Sequence, residues 1–236
     1  MPKTEVKEIA EVDANTGLTN FSKEQQAEML ARQNEDVARL KEKLAVTGNA
    51  ISLKNKQFKL PDGTILQGPV DVIVLDWQTR NSYYDKPYDE QNIAPPACWA
   101  QGEFPEKLAP NPEFVEDPVA VDCKSCPKNQ YKSGATGKGK ACTNNRRVIV
   151  RLPARKDLYV LTISPTSLKD FDNAMSSLLA VSNRTYNAII SMNFHPDKSW
   201  PQLVFDDARP NPNWPHDQAS VENGEVQAIL ELKPEI

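Results

Sequence analysis

The chain has four cysteines, Cys98, Cys123, Cys126 and Cys142, and all of them fall in a proline-rich stretch, from about 80 to 145, that reads as irregular. A loop of that length inside a compact domain needs its own source of order. The spacing C-x24-C-x2-C-x15-C offers one. Cys123 and Cys126 form a knuckle able to give two thiolates to one ion, and Cys98 and Cys142 complete a tetrahedral set for Zn2+. Metal binding in a small site is itself folding free energy. A structural Zn2+ is therefore the expected cofactor, although an iron–sulfur cluster accepts the same four thiolates and disulfides use the same residues. A thioredoxin-like motif does not fit, because "CKSCPKNQYKSG" runs into turn formers instead of opening a helix. Catalytic zinc sites usually keep His or carboxylate ligands, and the two histidines, His195 and His216, lie far from the cysteines in sequence.

Composition fits an ordinary globular protein: 39% of the 236 residues are hydrophobic and 25% charged, with 19 prolines pointing to long connections. No apolar run is long enough to span a bilayer, and "MPKTEVKEIAEVDANTG" is charged where a signal peptide would be apolar. The expected setting is cytoplasmic, without a membrane. In a reducing compartment clustered cysteines favour metal ligation over disulfides. The net charge of −4 hides an asymmetry: residues 121–156 hold ten cations against the single acid Asp122, a local excess of nine. Such segregation suggests a polyanionic partner.

Residues 1–19 lack periodicity and are expected to be a disordered leader. "NFSKEQQAEMLARQNEDVARLKEKLAV" predicts a helix within 20–47 with a thin apolar stripe. The remainder, 48–236, forms one domain carrying the insertion. "AISLKNKQFKLPDGTILQGPVDVIVLDWQT" alternates with period two, turns at Asp62-Gly63 and ends in a buried strand, suggesting a β-meander. "RRVIVRL" and "DLYVLTIS" are strands, and "SPTSLKDFDNAMSSLLAVS" is a packed helix using Leu168, Phe171, Met175, Leu178 and Leu179. "TYNAIISMNF" and "WPQLVFDDA" form a hairpin, and "ASVENGEVQAILELK" is a helix or a strand. The fold class is mainly β (α+β), an OB-like antiparallel barrel with a zinc-binding insertion and flanking helices.

"SGATGKGKAC" fails as a phosphate loop, since Gly134 and Gly137 enclose only two residues and Lys138 precedes Gly139. No nucleophile elbow or paired carboxylates call for catalysis. Trp77, Tyr83, Tyr84, Tyr88, Trp99 and Phe104 concentrate just before the basic run. Rings beside a cationic groove are the two elements of single-strand binding. Trp77, at the end of a buried strand, is assigned to packing. Candidate phosphate contacts are Lys132, Lys138, Lys140, Arg146, Arg147 and Arg151, and candidate stacking residues are Tyr83, Tyr84 and Tyr88.

The succession "VDVIVLDWQTRNSYYDKPYD", "APPACWA", "CKSCPKNQYKSGATGKGKAC", "RRVIVRL" and "TISPTSLKDF" resembles a family found in replication modules of tailed bacteriophages and prophages, over residues from about 50 to 195. It is also similar in architecture to phage single-stranded DNA-binding proteins with a zinc subdomain inserted into an oligonucleotide-binding barrel. The resemblance implies Cys98, Cys123, Cys126 and Cys142 as zinc ligands, nearby basic and aromatic residues as DNA contacts, and a bacterial host cytoplasm. Such proteins often end in an acidic tail that recruits replication or recombination partners, whereas this chain ends "ELKPEI". The expected function is non-enzymatic single-stranded DNA binding in phage replication or recombination. Alternatives are a zinc-containing interaction or regulatory protein for a host factor or duplex DNA, and a zinc-dependent nuclease. Oligomeric state is not legible in the sequence.

Overall fold

A computed structural model of the chain describes residues 49–86 and 94–231. All of these belong to a unit spanning Val46–Ile236. The expected leader, the helix within 20–47 and Tyr88 lie outside the described residues.

The protein is mainly β. Its strands are β1 (Phe58–Lys59), β2 (Ile65–Leu66), β3 (Val70–Tyr83), β4 (Cys98–Gly102), β5 (Thr143–Arg151), β6 (Leu158–Ile163), β7 (Ala188–Phe194) and β8 (Leu203–Pro210). Three α-helices accompany them: α1 (Leu168–Ser182), α2 (Trp214–Glu222) and α3 (Glu225–Leu230). The main sheet is antiparallel and six-stranded, in the order β6-β5-β3-β7-β8, with β4 also paired to β3. The described pairings leave β6 and β8 at opposite ends of that order, so a closed barrel is not shown.

β1 and β2 pair around the expected Asp62-Gly63 turn, where the Asp62 carboxylate accepts the Thr64 N–H at 2.8 Å. The meander stops there. β3 pairs with β5, β4 and β7 instead of β2, and Pro69, which has no N–H for a ladder, stands at the junction. The two hairpins β5–β6 and β7–β8 form as the alternation predicts. The C-terminal segment resolves into two helices separated at Gly224, which adopts φ +78°. Glycine ends a helix in this left-handed conformation at the least cost because it lacks a Cβ.

Both faces of the sheet are covered. On one, Val72, Val74, Val148 and Val150 pack under Phe171, Met175 and Leu178 of α1. On the other, Ile73, Leu75 and Ile149 pack under Val226 and Leu230 of α3. This explains the unbroken apolar runs in β3 and β5, since a strand buried on both sides has no polar alternate positions.

β3 changes parity midway. Val74 pairs with Val150, but Asp76 pairs with Ile149 and Trp77 with Val148, which marks a bulge at Leu75. Even-numbered residues face α1 before the bulge and odd-numbered ones after it. Trp77 therefore points towards α1 and meets Phe171 edge-on at 5.6 Å, the packing role expected of it. Thr79, Asn81 and Tyr83 continue the same face beyond the apolar core.

Candidate functional site

The long segment read as irregular is more ordered than its sequence suggests. β3 runs on to Tyr83, β4 starts at Cys98 and β5 starts at Thr143. The register pairs Tyr83 with Cys98 on one side and Ser82 with Thr143 on the other. Cys98 and Cys142 are thus brought to the same end of the sheet by strands flanking β3, although 44 positions separate them in sequence.

The knuckle is pinned over that end by hydrogen bonds. The Cys123 N–H donates to the Leu108 carbonyl at 2.8 Å and the Cys142 N–H to the Lys128 carbonyl at 2.8 Å. The Asp122 carboxylate accepts the Ser125 N–H at 2.7 Å. The Gln130 side chain donates to the carbonyls of Lys124 and Cys126 at 2.8 and 3.2 Å. All four cysteines, with Asn81, Tyr83 and Asn129, line one cavity of about 10 Å³. That is roughly the room one water-sized species occupies.

The thiols feel one another electrically. Burial, reinforced by negative charge on Cys123, Cys126 or Cys98, pushes the Cys142 thiol up to about 12. Burial likewise raises Cys98 and Cys123, opposed at Cys123 by a hydrogen bond from the Asn81 side chain. Four sulfur donors around a space for one ion suit Zn2+ or an iron–sulfur centre in type and number. Among the described residues no group of three or more His, Cys, Asp or Glu is already gathered as a metal-holding set. The thiols share a cavity without converging on a point in it.

These shifts have a sign that can be checked on metal-free protein. The folded state retains thiol protons above the ordinary value of 9.0. The associated stability is complete below pH 9 and is lost as pH rises towards 12. Urea midpoints of chelator-treated protein are expected to fall between pH 8 and 10.5, and to fall less in Cys142→Ala; equal falls in the two proteins would contradict the assignment to this thiol.

Beside the cysteines lies a groove of about 450 Å³. Thr79, Asn81, Asn144 and Arg146 form its floor, Lys124, Asn129, Gln130 and Lys140 form one wall, and Pro105, Glu106 and Leu108 form the other. The floor follows from register: Thr79 pairs with Arg146 and Asn81 with Asn144 on the post-bulge face. The Thr79 hydroxyl is buried with no hydrogen-bond partner among the described residues. Two rings stand next in sequence to the walls, Phe104 before Pro105 and Tyr131 after Gln130, and both are exposed, Tyr131 to 73%. Neither was singled out for stacking by the sequence reading. The aromatic side chain inside the basic loop, "NQYKS", was the available signal.

The predicted contacts divide. Lys132 and Lys138 are exposed on the knuckle loop. Gly137 and Gly139 have φ +69° and +67°, and a Cβ on Gly134 would lie 2.5 Å from the Lys138 carbonyl oxygen, so this tight turn around Lys138 requires glycine. Lys140 lines the groove, its ammonium donating to Asn129 and Asn144. Arg146 lines it too, 3.3 Å from Asp172 of α1.

Arg147 and Arg151 must be reassigned. Period two sends them to the opposite face of β5, where both are buried. Arg147 donates to the Ile229 carbonyl, and Arg151 grips Asp217 through two hydrogen bonds of 2.5 and 2.7 Å. The basic run is therefore not one patch, because β5 carries its far end about 27 Å away at ~3.4 Å per residue. Tyr83 is also no free stacking ring: it is half-buried at the thiol cavity with the Lys128 ammonium 5.1 Å from its ring centre. Tyr84 is 53% exposed, as stacking requires.

Among the described residues no helix is long and apolar enough to cross a membrane. Compared with known proteins, the chain matches no family model, no curated protein and no solved structure.

Proposed function

We infer that the protein is a non-enzymatic single-stranded DNA-binding protein of a phage replication or recombination system, with a structural Zn2+ on Cys98, Cys123, Cys126 and Cys142. One observation carries the reading: a groove with Lys124, Lys140 and Arg146 along it and exposed rings, Phe104 and Tyr131, beside its two walls. Cations neutralise phosphates, and rings stack on bases of any identity. In this reading the sheet belongs to an OB-like barrel, and the zinc-ordered insertion builds one bank of its binding groove. When bound, zinc supplies positive charge and fixed geometry; the chain's own lysines and rings make the contacts.

The test is a salt titration on oligo-dT. Lys124, Lys132, Lys138, Lys140 and Arg146 give up to five phosphate contacts, so log affinity against log salt should slope by about −0.7 for each contact, near −3.5 if all engage. Lys138→Ala should flatten the slope by about 0.7, and Tyr131→Ala should cost about 1–3 kcal/mol without changing it. Salt-insensitive binding, or tighter binding to a duplex of the same length, would refute the reading.

A further inference from the structure

The groove and the thiol cavity share a wall of carboxamides, and the hydrogen bonds in it all run one way. Lys140 Nζ donates to Asn144 Oδ1 at 2.9 Å, and Asn144 Nδ2 donates to Asn81 Oδ1 at 2.7 Å. The Asn81 side chain in turn lines the thiol cavity together with Cys123, where hydrogen bonding from it opposes the rise of that thiol's pKa. A second arm leaves the same ammonium: Lys140 Nζ donates to Asn129 Oδ1 at 3.2 Å, and Asn129 Nδ2 donates to the Cys123 carbonyl at 2.6 Å. Asn144 Nδ2 also reaches Asn129 Oδ1 at 2.9 Å and ties the arms together. Both arms begin on a groove cation and end on one cysteine.

The orientation is uniform. Each carboxamide turns its oxygen towards the ammonium and its NH2 towards Cys123, so the dipoles add along the chain and each bond polarises the next. Asn81 is 5% exposed, which shields the middle of the chain from water. A lysine held at its tip by two amide oxygens has given up much of the rotamer freedom that a surface lysine loses on binding a phosphate.

We propose that Asn81, Asn129 and Asn144 are positioning residues that transmit the placement of Cys123 to Lys140, so that a divalent cation held by the thiols presets the cationic groove for a phosphodiester strand. The strand half of this inference rests on the single-strand reading above; the relay itself does not. A cation that fixes Cys123 fixes the origin of both arms. By linkage, a strand gripped by Lys140 must tighten the cation by the factor by which the cation tightens the strand.

The experiment uses the full chain loaded with zinc and follows metal transfer to a chromophoric chelator. Among the described residues no hydrogen bond joins Asn81 directly to Lys140, so a double-mutant cycle on Asn81→Ala and Lys140→Met isolates the relay. Lys140→Met is expected to speed zinc release about fivefold in the wild-type background and by clearly less once Asn81 is alanine, the remainder passing through the Asn129 arm. Equal acceleration in both backgrounds overturns the relay, as does a chain that takes up no zinc. Should Asn81→Ala fail to retain metal, Asn144→Leu, which cuts the same arm one residue further from the thiol, takes its place with the same expectation. A second arm adds saturating oligo-dT, which should slow release from wild type and not from the double variant. A non-additive cycle with release indifferent to oligo-dT would uphold the relay and overturn its link to the strand; an additive cycle overturns the relay whatever oligo-dT does.

Discussion

Asp217→Ala is expected to destabilise the fold by about 3–5 kcal/mol, seen as a large fall in the urea midpoint. Asp217 is fully buried and accepts hydrogen bonds from Nε and Nη2 of Arg151 and from Asn211 at 2.7 Å. Removing the carboxylate strands a guanidinium in an apolar layer, and the penalty comes chiefly from that uncompensated charge. Removing both partners should cost less, so Arg151→Met combined with Asp217→Leu is expected to be more stable than Asp217→Ala alone. The same pair separates a structural arginine from a DNA contact. If Arg151 neutralised a phosphate, Arg151→Met would flatten the salt slope by about 0.7 and leave stability nearly unchanged; the buried ion pair predicts the reverse.

The second large effect is on metal. Wild type is expected to carry one zinc per chain and Cys126→Ser none, measured by elemental analysis after dialysis. The apolar support of the insertion is modest: a cluster of Ala100, Leu108 and Cys123, with Trp99 and Val115 also buried and Trp99 packed edge-on against Phe114. Apparent binding energies for structural zinc run to about 10–16 kcal/mol, a large addition to what so few buried side chains supply. Trypsin should therefore cut Cys126→Ser at Lys124, Lys128 and Lys132 faster than zinc-loaded wild type, through more frequent local opening of the insertion while the main sheet persists, and chelator should speed the same cuts in wild type. Unchanged metal content in the variant would dismiss the four-thiolate site. Visible charge-transfer absorption in the purified protein would point to an iron–sulfur centre instead.

Local pattern carried much of the fold. The turn at Asp62-Gly63, both hairpins and the face of α1 bearing Phe171, Met175 and Leu178 follow from periodicity and turn chemistry, which act within a few residues. Pairing of distant segments does not, and that is why β4 and the last third of β3 read as loop. "NSY" and "CWAQG" carry no clean alternation, and pairing with each other and with β5 makes them strands. The cysteines were legible as a set because residue type and spacing limit what they can do. The phosphate contacts were less so. Counting charge along the chain merged Arg147 and Arg151 with Lys138 and Lys140, whereas a strand deals successive side chains to opposite faces and carries its ends far apart. Lys124, Phe104 and Tyr131 are not distinguishable as contacts from sequence, because the walls of a groove are set by tertiary placement.

The bulge at Leu75 behaves like a frameshift in the side-chain code of β3. Upstream of it the chain is read in one phase and downstream in the other, so Val72 and Val74 lie in the same layer as Asn81 and Tyr83 despite opposite parity. The apolar core and the polar apparatus beyond it are thereby decoupled: either half of the strand can change its pattern without forcing the other to follow. For any related chain, the spacing from the core valines to the counterpart of Asn81 tells whether that phase change is kept, and with it whether the carboxamides still face the cysteines.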